Sequence, residues 1–164
     1  MNVHPSIATH PNVSQWLEFT VDERIIVHTG KVDIGQRIST ALAIIAAEEL
    51  GINYNRIDVK RTQTGLDPDE GFTAGSMSMQ HSGNAVRLAS ATARRYLIDL
   101  AAEQFGHDSR TLVVDDGIVQ SRITDAQVSY WSLLTDKTLS IRICLLYTSP
   151  SPRDRGCSRM PSSA

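Results

Sequence analysis

Two stretches of this sequence place small residues, hydroxyls and amides where a ligand's polar groups can reach the backbone. The first is Gly71-Phe72-Thr73-Ala74-Gly75-Ser76-Met77-Ser78-Met79-Gln80-His81-Ser82-Gly83-Asn84, which runs unbroken into the Pro-free, Ala/Leu/Arg-rich residues 85–105. Glycines and hydroxyls thus lead into a long helix. The first N–H groups of a helix lack intrahelical partners, and its dipole makes that end electropositive. Gly75, Ser76 and Ser78 let an anion come close and add hydroxyl donors, which is the composition of a phosphate cradle. The same residues also suit an ordinary capped helix, because Ser before an apolar run is a common N-cap. The second stretch is Gly30-Lys31-Val32-Asp33-Ile34-Gly35-Gln36-Arg37, which leaves a β-branched segment and enters the helical pattern of residues 38–50. Gln36 brings an amide, donor and acceptor in one group.

The elements that must position these loops follow from periodicity. Residues 16–21 alternate as a strand, Asp22-Glu23-Arg24 forms a turn, and residues 25–29 return as the second strand of a hairpin. His28 reads as a strand residue, with no second ligand at metal-binding spacing. Ile38, Ala41, Leu42, Ile45 and Glu49 recur at helical spacing. Ala43, Ile44, Ala46 and Ala47 fill the rest, so this helix is covered on more than one side. Glu48 and Glu49 suit its solvated end and Gly51 its C-cap. Residues 56–62 read as a third strand. Residues 63–73 carry Gly65, Pro68 and Gly71 with Asp67, Asp69 and Glu70, and are expected to form a solvated acidic loop. In the long helix, Ala85, Leu88, Ala89, Thr92, Tyr96, Ile98 or Ala102, and Phe105 form an apolar face, opposed by Arg87, Arg94, Arg95, Asp99 and Glu103. Residues 112–114 and 118–119 flank Asp115-Asp116-Gly117, a hairpin signal, and Ser129 is placed to cap a short helix over residues 130–134. The order β-β-α-β-α-β-β-α predicts an α+β fold, a mixed sheet with helices packed on one face. A Gly-x-Gly-x-x-Gly dinucleotide turn and a nucleotide P-loop are both lacking.

With 164 residues, 41% of them hydrophobic and 21% charged, the chain is long enough for one core and has a globular composition. A net charge of −2 offers no general attraction to nucleic acid or to an anionic membrane. No leader or membrane-spanning run is recognisable, so a cytoplasmic location is expected. Both cysteines, Cys144 and Cys157, lie in the last stretch. Residues 144–154 and 158–164 correspond to reading frames of a transposase-type sequencing-library adapter. Residues 144–164 are therefore read as a non-native disordered tail, residues 1–15 as a polar lead-in, and residues 16–143 as a partial domain. Without the tail no thiol remains for an iron–sulfur cluster, a zinc-thiolate site or a disulfide.

Taken together, the two loops resemble a known family. Gly30-Lys31-Val32-Asp33-Ile34-Gly35-Gln36 is similar to the Gly-x-Val-Glu-x-Gly-Gln-Gly segment of the molybdopterin-binding subunits of the xanthine dehydrogenase/aldehyde oxidase class. Thr73-Ala74-Gly75-Ser76-Met77-Ser78, followed by Gly83 and Ala85, resembles that family's Ser-x-Ser segment. Ala46-Ala47-Glu48-Glu49-Leu50-Gly51 fits the stretch between. Trp16 and the Pro68-Asp69-Glu70-Gly71 loop look like the nicotinate dehydrogenase and isoquinoline oxidoreductase branch. The resemblance implies an α+β molybdenum-cofactor domain holding molybdopterin, the cytosine dinucleotide form included, on Gly35, Gln36, Arg37, Gly75, Ser76, Met77 and Ser78. It implies a hydroxylase that oxidises an aldehyde or N-heteroaromatic carbon with water, and a separate iron–sulfur subunit as partner. The family's catalytic glutamate would lie beyond residue 143; Glu48, Glu49 and Glu70 read as surface residues. Arg37 stands where the family has Gly. Glycine there allows close approach or positive φ, which Arg is not expected to supply, although its guanidinium suits a phosphate. The rival reading is a non-catalytic interaction module whose glycine loops only cap helices.

Overall fold

The computed structural model describes residues 5–135 and 139–145. A short helix α1 (Pro5–Thr9) precedes the hairpin expected from the β-branched residues. In it β1 (Leu17–Phe19) pairs antiparallel with β2 (Ile25–Val27), Leu17 opposite Val27 and Phe19 opposite Ile25. The chain then runs through the loop of residues 28–37 into α2 (Ile38–Leu50) and returns as β3 (Ile57–Val59), parallel to β2. Parallel neighbours require a crossover connection, and α2 is that connection. Gly51 ends α2 in the left-handed conformation, φ 68°, its N–H donating to the Ala47 carbonyl at 3.0 Å.

A wide helical turn of π type, Met79–Gly83, leads into α3 (Asn84–Phe105). Beyond α3 come β4 (Leu112–Asp115), β5 (Ile118–Ser121), β6 (Gln127–Ser129) and α4 (Tyr130–Leu134). The fold is α+β, as the element order predicts. The strands form two three-stranded sheets, a mixed one of β1-β2-β3 and an antiparallel one of β4-β5-β6. The 22 residues of α3 separate the two groups of strands, and each group pairs within itself.

The core lies where α2 and α3 meet the strands. Ala85, Ala89, Ala93, Leu97 and Ala101 form an i, i+4 row on α3 that is fully buried. Small residues in such a ridge let a neighbouring helix come close. Leu42, Ala46 and Leu50 of α2 join the same core, with Trp16 just before β1 and Leu17, Ile25 and Val27 from the first sheet. Tyr130 is buried as well, and its hydroxyl donates to the Leu50 carbonyl at 2.9 Å, tying α4 to the end of α2. Burial pushes the Tyr130 phenol well above its ordinary value.

Two residues assigned to solvated faces are not there. Glu49 is 4% exposed and accepts from Arg87 Nε at 2.7 Å, because α3 packs over that side of α2 and supplies the cation. Arg94 is half-buried beside Tyr130, its Nε shielded from solvent, because α4 returns over that part of α3. The lead-in and the end of the described chain pack together. Val13 N–H donates to the Ile141 carbonyl at 2.9 Å and Ile143 N–H to the Pro11 carbonyl at 2.7 Å. Cys144 N–H donates to Thr92 Oγ1 at 3.0 Å, and Leu145 lies against the core. The remainder of the stretch read as a tail, residues 146–164 with Cys157, lies outside the described residues.

The β4–β5 turn takes the geometry its Asp-Asp-Gly sequence predicts, with positive φ at Asp116 (44°) and Gly117 (78°). A Cβ on Gly117 would also sit 2.8 Å from Trp131 Cζ3, whereas one on Gly106, with φ 67°, would meet nothing within 4 Å. Gly106→Ala is therefore expected to cost about 1 kcal/mol of conformational strain. Gly117→Ala adds a ring clash and should cost about 2–4 kcal/mol. Urea unfolding of the two variants side by side measures the difference, and equal losses would refute the clash.

Candidate functional site

The loop that leaves β2 is built from the inside. The Asp33 carboxylate accepts from the N–H groups of Gly35 (3.1 Å) and Arg37 (3.2 Å), a local turn typical of Asp. Gln36 Oε1 accepts from Ile34 N–H at 2.6 Å, and its Nε2 donates to the Val32 carbonyl at 2.9 Å. The amide expected to read a ligand edge thus first staples its own loop, keeping one N–H and one lone pair for another partner. Gly35 has φ 99°, and a Cβ there would meet nothing within 4 Å, so a ligand can approach its backbone. Arg37 does adopt the positive φ it was not expected to supply, 56°, immediately before α2. That conformation costs a non-glycine residue about 1–2 kcal/mol, and the Asp33 contact to its N–H offsets part of it.

The second loop has the same left-handed signature. Gly75 (φ 67°) and Ser76 (φ 56°) turn the chain, and Ser78 opens the π turn with no side-chain capping bond. The helical rise therefore begins at residue 79, not at residue 85 as periodicity suggested, and Ser76, Met77 and Ser78 stand directly at its head. The Ser78 hydroxyl is not consumed by capping, and the first-turn N–H groups lie beside it. Gly75, Ser76 and Met77 are exposed and Ser78 half-buried; Gly35, Gln36 and Arg37 are exposed.

The two loops lie side by side. Val32 N–H donates to Thr73 Oγ1 at 2.9 Å, and Lys31 Nζ donates to the carbonyls of Glu70 (2.7 Å) and Phe72 (2.8 Å). These contacts join residues just before each motif, so Gln36 and the Ser76–Ser78 turn stand on neighbouring, fastened loops.

The fastening is deeper than the acidic-loop reading allowed. Glu70 was expected in solvent; it is 9% exposed and lies under both loops. Its Oε2 accepts from Gly30 N–H (2.9 Å), Thr29 Oγ1 (2.9 Å) and Ser82 Oγ (2.7 Å), while Oε1 accepts from Ser6 Oγ at 3.3 Å. One carboxylate therefore gathers α1, the end of the first sheet, the loop that leaves β2 and the π turn. Gly30 has no need of positive φ. A Cβ there would lie 2.1 Å from the Pro68 carbonyl oxygen and 2.9 Å from Glu70 N, so glycine is required for close approach. Asp67 is also withdrawn from solvent. Its side chain is 1% exposed, lies 2.7 Å from His28 Nδ1 and accepts from Gln63 N–H, while His28 Nε2 stands 3.2 Å from Glu18. Only Asp69 of the three acids is exposed, as expected. The signals for this clamp were Ser82 inside a helical run and a glycine followed by a lysine. Neither names its partner, which lies 12 positions from Ser82 and 40 from Gly30.

This donor set fits a polar, anionic ligand: two left-handed loops at the heads of the two long helices, an uncommitted serine hydroxyl, and backbone open to approach at Gly35. The family described as molybdopterin cofactor-binding domain matches residues 2–151, and the chain belongs to that family. A nicotinate dehydrogenase subunit of Pseudomonas putida is 38% identical over 98 residues, 60% of this chain and 8% of that protein. The 6-hydroxypseudooxynicotine dehydrogenase complex subunit gamma of Paenarthrobacter nicotinovorans is 34% identical over 110 residues, 67% of this chain and 14% of that one. Reconstituted CO dehydrogenase from Oligotropha carboxidovorans superposes with a TM-score of 0.64 at 21% identity, over 82% of this chain and 18% of that one, and so shares the fold. The chain spans less than a fifth of each.

Removing the Glu70 side chain would strand several donors in a dry site, so Glu70→Ala is expected to cost about 3 kcal/mol or more in unfolding free energy. Glu70→Gln keeps an oxygen for the three donors and can give its NH2 group to Ser6, so a loss of about 1 kcal/mol is expected. Chemical denaturation checks both values. Near-equal costs would mean that hydrogen-bond geometry is not what Glu70 supplies.

Proposed function

We propose that this chain is the cofactor-holding part of the large subunit of a molybdenum hydroxylase. The observation that carries this reading is the pair of exposed, glycine-bearing loops fastened side by side at the heads of α2 and α3, in a chain of this family. Ser76, Met77 and Ser78 with the N–H groups of the first π turn hold the anionic tail. Arg37 adds a guanidinium for the same charge, Gln36 offers its spare N–H and lone pair to the pterin edge, and Gly35 lets the ligand meet the backbone. When bound, molybdopterin supplies the two-electron oxidation of a substrate carbon with water as the oxygen source. In this reading these residues bind and orient the cofactor.

The substrate in this reading is an aldehyde or an N-heteroaromatic compound, and the cofactor includes the cytosine dinucleotide form. An iron–sulfur subunit receives the electrons. Support for a partner comes from relatives whose names make them subunits of larger assemblies. A cytoplasmic location belongs to the same reading. Among the described residues no helix is long and apolar enough to cross a membrane.

The test uses the longer product of the same gene. Ser78→Asp puts a carboxylate among the N–H donors where the cofactor's negative groups belong, yet an acid is favourable at a helix start. The variant is expected to fold while its molybdenum content falls about tenfold or more, the equivalent of a lost charge-assisted hydrogen bond with added repulsion. Gln36→Ala should lower it as well. Wild-type molybdenum in both variants, measured by elemental analysis, would remove these loops from the site. The 164-residue chain alone is expected to turn over no aldehyde or N-heterocycle, because it spans so little of its relatives.

A further inference from the structure

His28 follows β2 directly, on the sheet face opposite the buried Leu17, Ile25 and Val27, because neighbours along a strand alternate. Its N–H donates to the Trp16 carbonyl, which puts Glu18 on the same face, across and two residues along. The ring meets a carboxylate on each side: Nδ1 lies 2.7 Å from Asp67 Oδ1, and Nε2 lies 3.2 Å from Glu18 Oε2. Ionised carboxylates only accept, and a neutral imidazole has a single N–H. Both contacts therefore form together only when the ring is imidazolium.

The two acids differ in how far they are withdrawn. The Glu18 side chain is 53% exposed and can turn to water, whereas that of Asp67 is 1% exposed. Asp67 Oδ2 accepts from Gln63 N–H at 2.6 Å, and the N–H groups of Leu66 and Asp67 donate to the Gln63 carbonyl. Among the described residues, His28 is the base that pairs with Asp67. On the β3 side of the same face stand Asp58, paired with Arg24, and then Lys60, level with His28. Lys60 forms no ion pair among the described residues, and the Lys31 ammonium is taken by the Glu70 and Phe72 carbonyls. A withdrawn carboxylate whose cation turns neutral is left uncompensated, which destabilises the arrangement that hides it.

We propose that His28 is a proton-operated latch on the loop that bears Glu70. Charged, its ring joins β1, the end of β2 and the Gln63–Asp67 turn. When the ring gives up its proton, Glu18 swings to solvent and Asp67 is left without a cation, so the turn opens and brings Asp67 to water. The contact holds below the range in which histidines titrate, roughly pH 5–8, and is lost as pH rises through it. Asp67 stands three positions before Glu70, so latch and clamp lie on one stretch of chain. The latch concerns the protein's own loop and holds with or without a cofactor.

Hydrogen exchange on the cofactor-free longer gene product tests this, with protection factors removing the intrinsic pH dependence of exchange. The reporters are the amides of Gln63, Leu66 and Asp67, and α2 is the reference. From about pH 5.5 to about pH 9 the reporters are expected to lose about tenfold or more in protection while α2 keeps its own. His28→Gln keeps a donor without a titratable charge, and its turn is expected to be weakly protected at both pH values. Asp67→Asn replaces the withdrawn charge by a neutral acceptor, and its turn should be equally protected at both. A wild-type turn with the same protection at both pH values would overturn the proposal. So would a pH-dependent loss that persists in either variant, since another group then titrates, or one that α2 shares, since the whole fold then responds.

Discussion

A single buried carboxylate holds this molecule's two loops in place. Glu70 lies under both of them, and a charge withdrawn from water must be met by donors or it destabilises the fold. Here the donors come from places distant in sequence: Ser6, Thr29 with Gly30, and Ser82. Once they converge, little freedom remains in how the loops sit. Gly30 must press against the Pro68–Glu70 backbone, and Lys31 is drawn in until its ammonium reaches two carbonyls. The apolar core of alanine-rich α3 against α2 supplies the mass of the burial. The polar cluster supplies direction, because hydrogen bonds are satisfied only in narrow geometry.

Above that anchor, each loop carries residues in left-handed backbone conformations. Arg37 and Ser76 are the costly ones, since neither side chain favours positive φ. Such conformations persist only where their surroundings over-determine them. Asp33 and Gln36 do this for the first loop with their own side chains. The contacts that shape the loop come from its own residues, so a ligand that meets it loses little affinity to ordering the chain.

How much of this the sequence discloses depends on the range of the interaction. The hairpin of β1 and β2, the extent of α2, the Gly51 cap and the Asp115-Asp116-Gly117 turn were all legible, because each rests on residues within a few positions of one another. The two loops could be picked out for the same reason, and the family entered through the resemblance of their residues to its known segments. Glu49, Glu70, Asp67 and Arg94 were misplaced because local pattern assigns charges to water. Their partners, Arg87, Ser82, His28 and Tyr130, arrive only with tertiary packing. The division of the strands into two sheets was hidden for a similar reason, since strand pairing across α3 leaves no periodic trace.

The π turn at Met79–Gly83 bears on how the second loop is aimed. In a regular α-helix each residue advances about 100° around the axis, so side chains upstream and downstream keep one angular phase. A wider turn breaks that phase, and no single helical wheel relates Ser78 to Ser82 and the buried Ala85–Ala89–Ala93 row. Ser82 faces inward to Glu70 while Ser76, Met77 and Met79 stay at the surface. The extra residue acts as an angular offset between the clamp and the loop. Through it, the length of this turn, as much as the identity of its side chains, sets the direction in which the loop faces.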